Sequence, residues 1–290
     1  MPRPKPSGTG LEMAAPATVE AHGAAIPAIG LGTWQLRGGE CAVAVQAALE
    51  VGYRHVDTAS MYGNEEAVGA GLKASGVPRG EVFVTTKVWP DDLAPADLRR
   101  SAEASLKCLG LSQVDLLLIH WPNSGIPLAG TVRALCEAKR AGLARHVGVA
   151  NFTVRLLDEA VRLADEPIVA NQCEYHPYLD QGAVLAACRR HGVAFVSYCP
   201  IGKAQVLSEP AVRTVAAAHG RTPAQVVLRW HLQQGVAAIP KSGNRARIAE
   251  NFSVSGFALT DDEMARISGL ARRGGRMVAP SWSPQWDETA

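Results

Sequence analysis

Four ionisable residues stand at or just beyond the ends of apolar runs. Asp57 follows Arg54-His55-Val56, with Tyr62 shortly after it. Lys87 follows Val82-Phe83-Val84-Thr85-Thr86, and His120 follows Leu116-Leu117-Leu118-Ile119. A tyrosine phenol titrates near 10, too high for easy proton donation at neutral pH. An ammonium beside it stabilises the phenolate and lowers that pKa, and a carboxylate beside the ammonium keeps it charged and in place. A histidine aimed at the same point hydrogen-bonds and orients an oxygen. Together the four would protonate an oxygen that gains negative charge, such as that of a carbonyl being reduced. Singly, Lys87 or Asp57 reads equally as a surface residue and Tyr62 as a packing residue. Convergence is what gives them chemistry.

That convergence needs an architecture. Further runs end the same way: Val147-Gly148-Val149-Ala150 leads to Asn151, Ile168-Val169-Ala170-Asn171 to Gln172, and Phe195-Val196-Ser197 to Tyr198. Val236-Ala237-Ala238-Ile239-Pro240 leads to Lys241, and Gly30-Leu31-Gly32-Thr33 opens the series. The runs number eight. Between them lie helix-period segments at 40–50, 65–74, 94–109, 129–141, 153–164, 181–191, 223–234 and 245–252. Thr153, Asp180 and Thr222 are candidate N-caps, and Gly110, Gly142 and Gly192 sit just past helix ends. Alternating strands and helices with short loops imply a parallel sheet, and eight units favour a closed barrel whose C-terminal strand ends share one mouth. The expected fold class is α/β, a (β/α)8 TIM barrel. A hairpin over 19–29, turning at His22-Gly23, precedes the barrel and caps its bottom. Two extra helices, at 208–220 and 261–270, and an irregular Gly/Pro/Trp-rich tail from Ala271 complete it.

Residues 1–16 read as a disordered leader, rich in early prolines and lacking the apolar core of a signal peptide, and 17–290 as one domain. Nearly half the chain is apolar (47%), enough for a large core, and the formal charge of +2 comes without basic blocks. This speaks against a nucleic-acid surface. No apolar run reaches membrane-spanning length. Six cysteines with no C-x-x-C pair suggest a reducing, cytoplasmic setting without disulfides. The scattered histidines form neither H-x-H nor H-E-x-x-H, so no metal is expected.

The stretch from Gly52 to Glu65, Gly-Tyr-Arg-His-Val-Asp-Thr-Ala-Ser-Met-Tyr-Gly-Asn-Glu, resembles the signature of the aldo-keto reductases. The resemblance runs from about Val19 to Phe252. It includes Thr85-Thr86-Lys87, Leu118-Ile119-His120-Trp121-Pro122, Gly148-Val149-Ala150-Asn151-Phe152, Asn171-Gln172-Cys173-Glu174-Tyr175-His176-Pro177 and Ile239-Pro240-Lys241-Ser242. It is similar in particular to short-loop bacterial reductases of the diketogluconate and glyoxal type. The resemblance implies a (β/α)8 barrel that reduces aldehydes and ketones with NADPH and without metal. Tyr62 would be the general acid, Asp57 and Lys87 its tuning pair, and His120 the group that positions the carbonyl.

Cofactor contacts follow from the resemblance as well. Asn151 and Gln172 would hold the nicotinamide carboxamide, Tyr198 would stack on the ring, and Thr33 and Asp57 would lie beside the cofactor. Cys199, Ile201 and Lys203 would run along the pyrophosphate. Lys241, Ser242 and Arg247 would meet the 2′-phosphate, with Glu250 and Asn251 at the adenine. Two cations there favour NADPH over NADH; Arg247 as a solvated helix charge and Ser242 as a helix cap are the plainer alternatives. This chain has Ala150 where the family usually has Ser, which removes a hydroxyl bond to the carboxamide worth about 0.5–1.5 kcal/mol; Cys199 also stands for a Ser, where backbone contacts would survive without the side-chain hydroxyl. A Rossmann glycine motif is absent, as expected of a barrel reductase.

Trp34 and Trp121 are the expected substrate wall, around a site for small aldehydes, α-dicarbonyls or keto-sugars. The role of Trp282 and Trp286 in the tail, closing the site or anchoring the tail, stays open. A monomer is expected. The alternative function is a cofactor-binding regulatory protein with little turnover; a barrel enzyme with Lys87 as a Schiff-base lysine is a third reading.

Overall fold

In the computed structural model, eight parallel strands curl into a barrel. The structure describes residues 17–287, so the expected leader lies outside the described residues. A hairpin of β1 (Thr18–Ala21) and β2 (Ala24–Pro27) comes first. The barrel strands are β3 (Leu31–Gly32), β4 (His55–Asp57), β5 (Phe83–Val88), β6 (Val114–Ile119), β7 (Ala144–Ala150), β8 (Ile168–Glu174), β9 (Ala194–Tyr198) and β10 (Ala237–Ala238). Each pairs in parallel with the next in chain order. Bridges from Ile29 to Ala238 and from Gly32 to Lys241 close β3 onto β10. The seam is hydrogen-bonded: Gly30 N–H donates to Ala238 O and Gly32 N–H to Pro240 O. Gly32 is needed there, because a Cβ would come within 2.7 Å of the Ile239 carbonyl oxygen.

The helices are α1 (Gly38–Val51), α2 (Glu65–Ala74), α3 (Pro95–Leu109), α4 (Leu128–Arg140), α5 (Val154–Leu163), α6 (Gly182–His191), α7 (Pro210–His219), α8 (Pro223–Gln233), α9 (Arg245–Phe252) and α10 (Asp261–Ser268). The segments expected as extra helices are α7 and α10. Thr153 caps α5 by accepting from Leu156 N–H, and Thr222 forms a full capping box with Gln225 on α8. Asp180 does not cap α6. Its Oδ1 accepts from Gly182 N–H two residues on, an Asx turn that leaves Gln181 at the cap position.

Apolar residues separate into two cores. The larger lies between helices and the outer face of the sheet and includes Leu98, Leu135, Leu157 and Leu228. The smaller fills the barrel interior, where Leu116, Leu118 and Val196 meet Ala21, Ala24 and Ile26 of the hairpin. The hairpin is therefore a plug. Its turn places His22 and Gly23 both at positive φ (47° and 82°), the left-handed pair that matches the twist of a tight hairpin. Cys41, Cys136, Cys173 and Cys188 are buried, and all six cysteines are free thiols.

Candidate active site

The four ionisable residues meet at the mouth. Lys87 points inward from the penultimate position of β5, not from beyond its end, and is fully buried. Its Nζ donates to Asp57 Oδ1 at 2.5 Å, to Thr58 O at 2.7 Å and to Tyr62 Oη at 3.4 Å. Asp57 ends β4 and is held on its other oxygen as well, by Gln172 Nε2 at 2.7 Å. Tyr62 closes a short 3-10 turn, Ser60–Tyr62, whose conformation is set from several sides. Arg37 donates to its carbonyl and Ser60 Oγ to the Lys87 carbonyl. Asn64 donates to Thr33 O and Leu36 O and accepts from Thr58 Oγ1, so it ties the first two mouth loops together. Glu65 accepts from Thr86 Oγ1, which fixes α2 to β5. The signature stretch is thus largely a scaffold that aims one phenol.

Electrostatics set the protonation states. Burial pushes the Tyr62 phenol up, and the Lys87 ammonium pulls it down by a smaller amount, so it stays above 10.0. This corrects the expectation of a lowered pKa: a sealed site costs the phenolate more than the ammonium returns. Burial works to lower Lys87, but the charges of Asp57 and Tyr62 and their hydrogen bonds outweigh it, and its pKa ends raised. His120 is held well below 6.5, by burial and then by the Lys87 charge. Its ring is a neutral imidazole near pH 7, set edge-on to Tyr62 with centroids 5.6 Å apart. His120 Nδ1 is buried without a hydrogen-bond partner among the described residues.

Indoles surround this group. Trp34 lies 4.9 Å from Tyr62 between ring centroids, and Trp89 lies 5.2 Å from His120. Trp121 is buried next to His120. From the tail, Trp282 reaches both Trp89 (5.7 Å) and Trp121 (5.3 Å), while Trp286 packs on Trp121 (5.9 Å). The tail is anchored beside these indoles, since Asp287 Oδ2 accepts from Val154 N–H at the start of α5. Trp89 was not expected from sequence. The signal was there: strand side chains alternate, so the residue two beyond inward-facing Lys87 also faces the mouth.

The remaining expected residues follow strands β3, β7 and β10, end or follow β9, or lie on α9. Asn151, at φ 61°, donates to His120 O (2.9 Å) and accepts from Tyr198 Oη (2.8 Å). Thr33 is buried with its hydroxyl on Asp57 O. Beyond Tyr198 the backbone turns through left-handed Cys199 (φ 54°), Lys203 (φ 50°) and Ala204 (φ 69°), and Ile201 sits within this cradle. Such strain is retained where close approach to a ligand needs it. Lys241 and Arg247 are exposed at the seam and on α9. Ser242 is not a helix cap; it hydrogen-bonds Asn244, which itself caps α9 by accepting from Arg247 N–H. Asn251 is buried, and Glu250 accepts from Thr222 Oγ1. Exposed cations, a backbone cradle at positive φ, and amides beside a phenol are the group types that the phosphate, linker and nicotinamide of a dinucleotide would need. The residues fit such a cofactor. Among the described residues, no cluster of three or more His, Cys, Asp or Glu could hold a metal ion, and no helix is long and apolar enough to cross a membrane.

Comparison with known proteins agrees with this geometry. The model of the Aldo/keto reductase family matches residues 28–272. The chain is 39% identical to the Methylglyoxal reductase DkgB of Escherichia coli O157:H7 over 91% of its own length and 100% of that protein. A solved structure described as a candidate 2,5-diketo-D-gluconic acid reductase B superposes with a TM-score of 0.92 at 45% identity, covering 94% of this chain and 98% of that one. The Bombyx mori aldo-keto reductase, solved in complex with NADP, superposes with a TM-score of 0.83 at 34% identity, covering 88% and 93%. The chain belongs to the aldo/keto reductase family.

Proposed function

We propose that the protein reduces small aldehydes, α-dicarbonyls or keto-sugars to alcohols with NADPH, using Tyr62 as the proton donor. The observation that carries this reading is the chain from Asp57 Oδ1 to Lys87 Nζ (2.5 Å) to Tyr62 Oη (3.4 Å), ending on a phenol that is protonated at neutral pH. When bound, the cofactor supplies the hydride. Tyr62 donates its proton to the carbonyl oxygen as charge develops there, and the Lys87 ammonium stabilises the phenolate that remains. Asp57 keeps Lys87 charged and aimed. Neutral His120 offers one ring N–H to the same oxygen and so orients the carbonyl. Trp34, Trp89, Trp121 and Trp282 keep water from the reacting centre.

Asn151 and Gln172 would hold the nicotinamide carboxamide under Tyr198, Cys199 to Lys203 the pyrophosphate, and Lys241, Ser242 and Arg247 a 2′-phosphate. Glu250 and Asn251 would border the adenine. The raised Lys87 pKa argues against a Schiff-base role, which needs a neutral amine. The six free thiols support a cytoplasmic setting, and a monomer is the simplest assembly for a site built within one barrel. The test follows loss of reduced-nicotinamide absorbance with methylglyoxal, a diketogluconate, an aromatic aldehyde and a simple ketone, using NADPH and NADH in parallel. Turnover that prefers NADPH supports the reading; tight NADPH binding without turnover on any of them would transfer it to a regulatory protein.

A further inference from the structure

The tail that carries Trp282 is held at one peptide from two directions. Glu174, the last residue of β8, is fully buried, and both its oxygens face the tail. Oε1 accepts from Met277 N–H at 2.7 Å and Oε2 from Val278 N–H at 2.9 Å. His176 Nε2 lies 2.9 Å from Oε1, and Arg276 Nη1 lies 4.0 Å from Oε2. On the other side, Lys203 Nζ donates to Met277 O at 3.0 Å. Past this grip, Arg276 stacks 3.6 Å from the Trp286 ring centroid, and Trp282 lies across Trp89 and Trp121.

A buried carboxylate is costly unless its acceptor sites are filled. Here the tail backbone fills them. Trp282 is 51% exposed, and among the described residues its ring contacts are the two edge-on indoles, so its own packing defines its place weakly. Two N–H groups donating to a buried charge are the stronger tie. Glu174 also sits two residues beyond Gln172 on the same face of β8. One strand thereby holds Asp57 through Gln172 and the substrate wall through Glu174.

We infer that Glu174 is a positioning residue for substrate selection: by gripping the Met277–Val278 backbone, it sets Trp282 over the carbonyl site. This inference rests on the reductase reading for its kinetic consequence but not for the grip itself. Replacing Glu174 by Gln turns one acceptor into a donor facing one of the two tail N–H groups. Val278→Pro removes that N–H from the tail side and leaves β8 unchanged.

The test measures hydrogen–deuterium exchange and steady-state kinetics on the intact protein and the variants E174Q, V278P, W282A and E174Q/W282A. Both grip variants should speed exchange in the 276–282 segment by about tenfold or more, the loss expected of a hydrogen bond to a charged group, with the barrel strands unchanged. In E174Q, KM for a bulky aromatic aldehyde should change by about fivefold or more, while kcat for methylglyoxal stays within about twofold. The double variant should be no worse than W282A alone. Unchanged tail exchange, faster exchange throughout the barrel, an equal loss for both aldehydes, or additive effects would each overturn the inference. If the parent protein reduces neither these aldehydes nor a diketogluconate or a simple ketone, the reductase reading fails, and the exchange data still decide whether Glu174 holds the tail.

Discussion

Gln172 donates its side-chain N–H to Asp57 Oδ2 at 2.7 Å, while Lys87 occupies Oδ1. The residue expected at the cofactor carboxamide therefore also orients the carboxylate that charges Lys87. Gln172→Leu should accordingly lower kcat at saturating NADPH as well as weaken NADPH binding, each by about tenfold, since one hydrogen bond to a charged group is worth about 1.5–3 kcal/mol. Steady-state kinetics with a fluorescence titration of NADPH separate the two effects. A change in binding alone would mean that Lys87 holds the Asp57 carboxylate without help.

Tyr62→Phe removes the proposed proton donor and little else, because the ring and its contacts with Trp34 and His120 remain. Loss of a positioned acid lowers kcat by about 10²–10⁴-fold. NADPH affinity should stay within about threefold, because the expected cofactor contacts lie on other residues. An equal loss in both quantities would instead make Tyr62 structural.

The pH dependence of reduction follows from the two shifts. The Tyr62 phenol is raised above 10.0, so its proton is present throughout the neutral range and the rate falls only in strong alkali. His120 is lowered well below 6.5, so its ring stays neutral down through that value. A plot of kcat against pH should be flat between about 6 and 9, given the unperturbed values of the two groups. A break near the ordinary histidine value would show His120 titrating exposed, contrary to its burial.

Stability should respond to acid for a related reason. His55 and His231 are lowered by burial, His231 to about 4. In the unfolded chain they bind protons near 6.5, whereas in the fold they do not. As pH falls below 6.5 the unfolded state gains protons first, so stability drops until the folded pKa is reached. The Tm should decline between about pH 6.5 and 4, and His231→Asn should flatten part of that slope. An unchanged slope in the variant would mean that His231 does not supply it.

Much of this was legible because a parallel barrel converts strand order into spatial convergence. Asp57, Lys87, His120 and Asn151 could be grouped before any coordinate was known, and turn chemistry at Gly110 and Gly192, both left-handed, marked helix ends. What escaped depends on distance along the chain or on a balance of opposing effects. Glu174 meets Met277 across a hundred residues of sequence, with no periodicity to reveal it. Trp89 is a different case: it required only period-2 alternation along the strand that carries Lys87. The net direction at Tyr62 is a contest between burial and charge, and residue types alone do not decide it.

The cofactor's phosphate end offers the final prediction. Lys241 follows the strand that closes the barrel, bridged to Gly32, and Arg247 lies on α9, whose N-cap Asn244 is next to Gly243. Asn244 Oδ1 accepts from Arg247 N–H, and Ser242 Oγ accepts from Asn244 N–H, so the turn from Ser242 and the first residues of α9 are tied together. Two cations held on such a frame discriminate a 2′-phosphate from a hydroxyl by charge and, for Arg247, by a forked pair of donors. Lys241→Ala and Arg247→Ala should each weaken NADPH by about ten- to a hundredfold, from about 1.5–3 kcal/mol per charged hydrogen bond, and leave NADH within about twofold. The loss should shrink as salt rises, because the contact is exposed. Kd values for both cofactors at two ionic strengths check this. A uniform loss for NADPH and NADH would place these side chains elsewhere than at the phosphate.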